Sequence, residues 1–230
     1  MKHRSRQAFT LVELLVVSSI LALLLAILMP GLQAARMRSR MVAVHSDLRQ
    51  ITLALDAYAL TWQDRVPPTR VACGTDVNYQ LPIELATERF LPPGASAIPQ
   101  ADLRDRFDSR RTYRYVAPGA IYQNGTLFDR PDQPWKPRSK VWVPDDFPVC
   151  ADEAGRFYHN FADEPASPVT YAVWSVGPRP LAVKFPRQVA SDVVDESRFP
   201  MPRSYWMTRS LDDGLIAHFR ARNGLVHQSP

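Results

Sequence analysis

The chain has 230 residues, of which 46% are hydrophobic and 22% charged, with a formal net charge of +5 and two cysteines. This length leaves room for one membrane span and one globular domain of about 160 residues. Three of the basic residues lie within the first eight positions, and without them the charge falls to +2. The basic balance is therefore weak support for nucleic-acid binding, and we expect no nucleic-acid partner.

The first predicted element is an apolar helix near the N-terminus. The 21 residues from Phe9 to Met29 contain a single charged residue, Glu13. A helix rises about 1.5 Å per residue, so this run can cross a hydrocarbon core of roughly 30 Å. A carboxylate in such a segment is costly without a partner, which makes Glu13 a candidate functional residue. Pro30-Gly31 follows the run and predicts a bend or local melting of the helix, because proline removes a helical hydrogen bond.

The N-terminal residues also resemble a known family. A basic leader containing Lys2, Arg4 and Arg6 is followed by Gln-Ala and then, from position 9, by Phe-Thr-Leu-Val-Glu-Leu-Leu-Val-Val. This pattern resembles the leader of type IV pilins and of type II secretion pseudopilins. The resemblance covers residues 1–36.

This resemblance implies a processing site and an assembly role. A prepilin peptidase would cut between Ala8 and Phe9, and the new amino terminus on Phe9 would be N-methylated. Glu13 would then be the fifth mature residue and would meet the methylated terminus of a neighbouring subunit. Pro30 would take the place of the helix-kinking proline. The family usually has glycine before the cut, and Ala8 departs from that pattern.

Three other interpretations of the apolar run stay open: a secretory signal peptide, a plain single-span anchor and a buried core helix. Glu13 interrupts what would be the apolar part of a signal peptide, and the run is long and uniform for a core helix. Basic residues lie on both sides of the run, with Arg36, Arg38 and Arg40 following it. The orientation with the N-terminus inside therefore rests on the resemblance.

After Pro30 the pattern becomes amphipathic, with apolar residues alternately four and three positions apart, and this predicts continuation of the helix to about Gln63. A dimeric coiled coil is the alternative. The apolar stripe consists of Met37, Met41, Val44, Leu48, Ile51, Leu55 and Tyr58. Pro67-Pro68 ends the pattern.

Residues 67–230 are rich in proline and turn signals, which predicts a β-rich domain with Pro-rich loops. A short helix is predicted within Leu81–Phe90. The predicted strands are Thr112–Val116, Lys140–Val143, Pro168–Ser175 and Leu215–Arg220.

Short runs in this region resemble the major-pseudopilin branch, namely residues 105–108 with 113–115, residues 171–178 and residues 210–216. In that branch a calcium ion is held by aspartates and backbone carbonyls. The resemblance makes Asp212 and Asp213 candidate ligands, although Arg179 stands where the branch has an aspartate. A simple turn before a strand is the alternative interpretation of these two residues.

Cys73 and Cys150 are the two cysteines, and a disulfide between them is reasonable in an oxidising compartment. Two separate thiols are the alternative. The cysteines and histidines have no metal-ligand spacing, and no phosphate loop or nucleophile elbow is present, so we predict neither a metal centre nor catalysis.

The sequence thus predicts an α+β, pilin-like fold in which a long N-terminal helix packs on a small antiparallel sheet. The predicted organisation is a leader (1–8), a transmembrane and assembly helix (9–30), its amphipathic continuation (31–66) and a periplasmic domain (67–230). The predicted function is a type II secretion pseudopilus subunit in the bacterial inner membrane. Its expected partners are prepilin peptidase, other pilin-like subunits, an assembly platform and lipid. A type IV pilus subunit and an anchored domain that does not polymerise are the alternatives.

Overall fold

The structure, a computed structural model, describes residues 10–71, 80–94, 103–129, 139, 141–144, 158–161, 167–178 and 215–228. The chain divides into two compact units between Ser39 and Arg40. In chain order the elements are α1 (Leu11–Thr61), β1 (Thr69–Val71), α2 (Glu84–Thr87), β2 (Arg114–Val116), β3 (Ile121–Gln123), β4 (Thr126–Phe128), β5 (Val141–Pro144), β6 (Tyr158–Phe161), β7 (Val169–Ser175), β8 (Ile216–Ala221) and β9 (Val226–Gln228).

The long N-terminal helix is confirmed within two residues at each end. α1 stays helical through Pro30, although proline cannot donate to the carbonyl one turn earlier. The expected local melting at Pro30-Gly31 is therefore wrong, and a bend there stays a prediction. The chain leaves the helix through Gln63 and Asp64, which both have positive φ, before it reaches Pro67-Pro68.

The apolar stripe of the amphipathic segment is buried, which excludes its use as a dimeric coiled-coil seam. From Met41 to Tyr58 the predicted stripe residues are all at most 9% exposed. They share one core with side chains from the strands and from the α2 region. The partners are Leu81, Leu85, Leu91, Tyr113, Tyr115, Ala117, Tyr171, Val173 and Ile216.

The main sheet has four strands in the order β2-β7-β8-β9, and every neighbouring pair is antiparallel. β7 and β8 form its centre and are buried on both faces, since alternate residues such as Val173 and Trp174 are each at most 1% exposed. Trp174 is a core residue. The α+β class and the antiparallel sheet are confirmed.

All four predicted strands correspond to strands of the structure, β2, β5, β7 and β8, with ends that differ by at most two residues. The short helix predicted within Leu81–Phe90 is α2. Two smaller sheets were not predicted: β5 pairs with β6, and β1-β3-β4 contains a parallel β1–β3 pair. The β3–β4 hairpin turns at Asn124-Gly125, both with positive φ, as a tight two-residue hairpin requires.

Candidate membrane-anchoring and assembly site

The first unit presents an apolar helical surface. Among the described residues, α1 is the one helix long and apolar enough to cross a membrane, with a best-window mean hydropathy of 2.8. Its large apolar side chains from Leu11 to Leu32 are between 47% and 80% exposed within the chain itself. Such a surface is costly in water, so it requires lipid or other helices around it.

Thr10 and Glu13 form a reciprocal capping box at the start of this helix. The Glu13 amide donates to Thr10 Oγ1 at 3.2 Å, and the Thr10 amide donates to Glu13 Oε2 at 2.9 Å. The Thr10 hydroxyl also donates to Oε2, at 2.9 Å. The box satisfies two backbone amides that have no partner within the helix. A negative charge in the first turn is also favourable toward the helix dipole.

The two hydrogen bonds that the Glu13 side chain accepts both use one carboxylate oxygen, Oε2. The other oxygen, Oε1, accepts no hydrogen bond from the residues that the structure describes. A carboxylate can accept several hydrogen bonds through its two oxygens. Glu13 can therefore cap its own helix and still accept a cationic donor from another chain.

Most of the other predicted site residues lie outside the described residues. These are the cleavage and methylation positions Ala8 and Phe9, both cysteines of the proposed disulfide, Cys73 and Cys150, and the candidate calcium ligands Asp212 and Asp213. Those assignments stay predictions. In the part of the chain that the structure describes, no three His, Cys, Asp or Glu side chains are grouped as metal ligands would be.

A polar clamp that was not predicted joins α1 to the segment that leads into β2. Asp47 is 8% exposed and accepts hydrogen bonds from Arg106 Nε at 2.7 Å and Nη2 at 3.1 Å. The Tyr113 hydroxyl donates to the same carboxylate at 2.7 Å. Burial, reinforced by the neighbouring carboxylate, raises the pKa of Tyr113, while the hydrogen bond that Arg106 donates to Asp47 raises the pKa of Arg106.

A second clamp of the same composition lies further along the helix. The Tyr171 hydroxyl donates to Asp56 Oδ1 at 2.8 Å, and Arg220 Nη2 lies 3.2 Å from Asp56 Oδ2. Burial and the nearby Asp56 charge raise the pKa of Tyr171. At about 100° per residue, Asp47 and Asp56 flank the apolar stripe on opposite edges. The position of the two acids beside the apolar stripe was the sequence signal for these clamps, since an acid at the edge of a buried stripe requires a partner.

A buried carboxylate also fixes the end of β7. Asp105 is fully buried and accepts hydrogen bonds from Ser175 Oγ at 2.7 Å and from the Phe107 and Val176 amides at 3.0 Å. Burial raises the pKa of Asp105 despite these donors. Two of the runs that resemble pseudopilin segments are thus hydrogen-bonded to each other, namely residues 105–108 and 171–178.

Comparison with known proteins supports the interpretation of the N-terminus. Residues 3–29 match the family model described as the prokaryotic N-terminal methylation motif. No curated protein and no solved structure matched the chain. The resemblance of the N-terminal segment to prepilin-type, pilin-like proteins is thus confirmed over residues 3–29.

The motif indicates the general classes of partner. It implies processing by a prepilin peptidase and assembly with other pilin-like subunits, which are structural proteins. Together with the exposed apolar helix, it is consistent with membrane anchoring.

Proposed function

We propose that this chain is a structural subunit of a type II secretion pseudopilus. In this proposal it is cut at Ala8–Phe9, methylated on Phe9 and polymerised through α1 to support protein export. It is anchored in the inner membrane with its N-terminus in the cytoplasm, and residues 67–230 lie in the periplasm. It is the substrate of the peptidase and catalyses no reaction itself.

The observation that carries the proposal is the Thr10–Glu13 box at the start of an exposed apolar helix. A plain anchor gains only the helix cap from this carboxylate, and a charge within a bilayer is costly. A filament subunit would gain the cap through Oε2 and, in addition, an ion pair between Oε1 and the cationic terminus of a neighbour. Pairing offsets much of the cost of burying each charge.

Processing is tested by intact-mass spectrometry of the protein extracted from membranes of its native host. We expect a chain that begins at Phe9 and carries one added methyl group. A chain that retains residues 1–8, or one cut beyond the apolar run, would refute the filament proposal. It would favour an anchored or secreted domain instead.

Assembly is tested with Glu13→Gln, which keeps the size of the side chain and removes its charge. We expect membrane insertion at the wild-type level but at least tenfold fewer filaments, measured by shearing or by cross-linking of membranes. Ser19→Ala is the matched control, because the Ser19 hydroxyl lies in the same run and donates within the helix, to the Val16 carbonyl at 2.8 Å. Equal loss of filaments in both variants would show a general helix defect rather than a role for the charge.

The secretion role is separated from a pilus role by deleting the gene in the native host. Loss of protein export with motility, adhesion and DNA uptake intact supports the pseudopilus. The reverse pattern assigns the subunit to a type IV pilus. The purified full chain should also show no salt-dependent binding to DNA, which a DNA-uptake subunit would show.

A further inference from the structure

Two histidines meet in the helix–sheet interface of the second unit. His45 Nδ1 on α1 and His218 Nε2 on β8 are 3.2 Å apart. His218 is 2% exposed and His45 is half-buried. Neither residue takes part in the proposed assembly function, and the pair joins segments separated by 173 positions in the sequence.

The geometry is that of a hydrogen bond between two imidazoles. The ring centroids are 5.5 Å apart, which is close to the longest separation that an N···N distance of 3.2 Å allows. Each nitrogen therefore points straight at the other along one axis, as a linear N–H···N bond requires. A metal ion midway on this axis would be closer to both nitrogens than the roughly 2.0–2.1 Å of a zinc–histidine bond.

Such a bond limits the number of protons that the pair can hold. One ring donates and the other must offer a nitrogen without a proton. A proton added to the far nitrogen of the donor ring leaves the bond intact and strengthens it. A proton added to the facing nitrogen of the acceptor ring replaces the bond with two opposed N–H groups on two cations.

The surroundings oppose that second proton. Arg49, one turn after His45 on α1, contributes positive charge, and Arg220 lies two residues along β8 and is paired with Asp56. The residues directly opposite His218 on β7 and β9 are Val173 and Gln228, which carry no charge. Asp47 is on the far edge of the apolar stripe, where it binds Arg106. Burial, then His45 and Arg49, lower the pKa of His218 to about 4.

We propose that His45 and His218 form an acid-sensitive latch between α1 and the β8–β9 part of the sheet. The latch is closed while the acceptor ring is neutral and opens when both rings are charged. Because the pKa of His218 is lower in the folded chain than the usual value near 6.5 in the unfolded chain, the unfolded state takes up more protons between these values. Stability contributed by the pair is complete above about pH 6.5 and is lost as the pH falls toward 4.

The test is unfolding of the full chain in detergent micelles at pH values from 7.5 to 4.5, with a chelator present. For the wild type, opening of the latch should raise the equilibrium constant for unfolding by roughly a hundredfold as the pH falls from 7.5 to 4.5. His218→Gln places an amide that cannot take up a proton near the position of Nε2 and should remove this share of the pH dependence. His227→Gln is the control, since His227 lies on the neighbouring strand at a position paired with Phe219, and it should keep the wild-type pH dependence.

An identical pH dependence in the wild type and in His218→Gln would overturn the latch. If the variant does not fold, the pKa of His218 is measured in the wild type by NMR titration of labelled histidines. A value well below 6.5, together with the loss of protection from hydrogen exchange in β8 and β9 at acid pH, supports the proposal. A value at or above 6.5 refutes it.

Discussion

The Asp47 clamp makes a quantitative prediction about what holds α1 on the sheet. Asp47→Ala removes the acceptor of the Tyr113 hydroxyl, and Tyr113 is fully buried. A buried hydroxyl without an acceptor costs about 1–3 kcal/mol. The ion pair to Arg106 adds at most about 1 kcal/mol, because the arginine side chain is 47% exposed and therefore screened. We expect a total loss of about 3 kcal/mol in the free energy of unfolding.

Two partner variants divide this loss between its components. Tyr113→Phe removes the donor but leaves Asp47 bound to Arg106, so we expect a loss of about 1 kcal/mol. Arg106→Gln should cost less than about 1 kcal/mol. The assay is urea unfolding of the full chain in micelles, followed by circular dichroism. Asp129→Ala, which changes an exposed aspartate, is the matched control. A loss in Asp47→Ala no larger than in Arg106→Gln would refute the argument that the buried tyrosine contact dominates.

Three further predictions concern pH, a buried acceptor and the proline. Because Tyr113 and Tyr171 have a raised pKa in the folded chain, the stability they contribute is present below the unfolded value near 10 and is lost above it, so Tyr171→Phe should raise the alkaline unfolding midpoint. Wild-type and variant midpoints that coincide would contradict this. Asp105→Ala leaves two backbone amides and the Ser175 hydroxyl without their acceptor, and a loss of about 2–4 kcal/mol is expected in urea unfolding. Pro30→Ala restores an amide donor inside α1, so hydrogen exchange in the surrounding peptide should slow; unchanged exchange would show that the missing bond has no effect.

The helix and the main strands could be predicted because their signals are local. The stripe from Met41 to Tyr58 repeats every three to four residues and needs no knowledge of its partner. The β3–β4 hairpin was not predicted, although it also has a local signal, since Asn124-Gly125 stands between two β-prone triplets. The parallel pairing of β1 with β3 joins segments about 50 residues apart and has no local signal.

In the candidate site, too, the residues with a local sequence signal could be predicted and the long-range contacts could not. Glu13 could be recognised because a charge within an apolar run is unusual, and the Thr-x-x-Glu spacing from Thr10 was also readable as a capping box. The clamps could not be predicted in detail, because Tyr113 and Tyr171 have no sequence relation to Asp47 and Asp56. Only the fold brings each tyrosine hydroxyl to its carboxylate.

The two clamps specify the position of α1 on the sheet, which apolar packing alone does not specify. If α1 slid by one helical turn, its aliphatic stripe would still face the sheet, because apolar contacts have little directionality. Asp47 and Asp56 would, however, be moved away from Tyr113 and Tyr171. The two acids are nine residues apart and on opposite edges of the stripe, so together they fix both the position and the rotation of the helix. A polar residue that specifies register at some cost in stability is known from coiled coils. We therefore expect the double variant Asp47→Ala, Asp56→Ala to remain helical but to show more than one methyl signal for core residues such as Leu48. A single set of signals would mean that packing alone fixes the register.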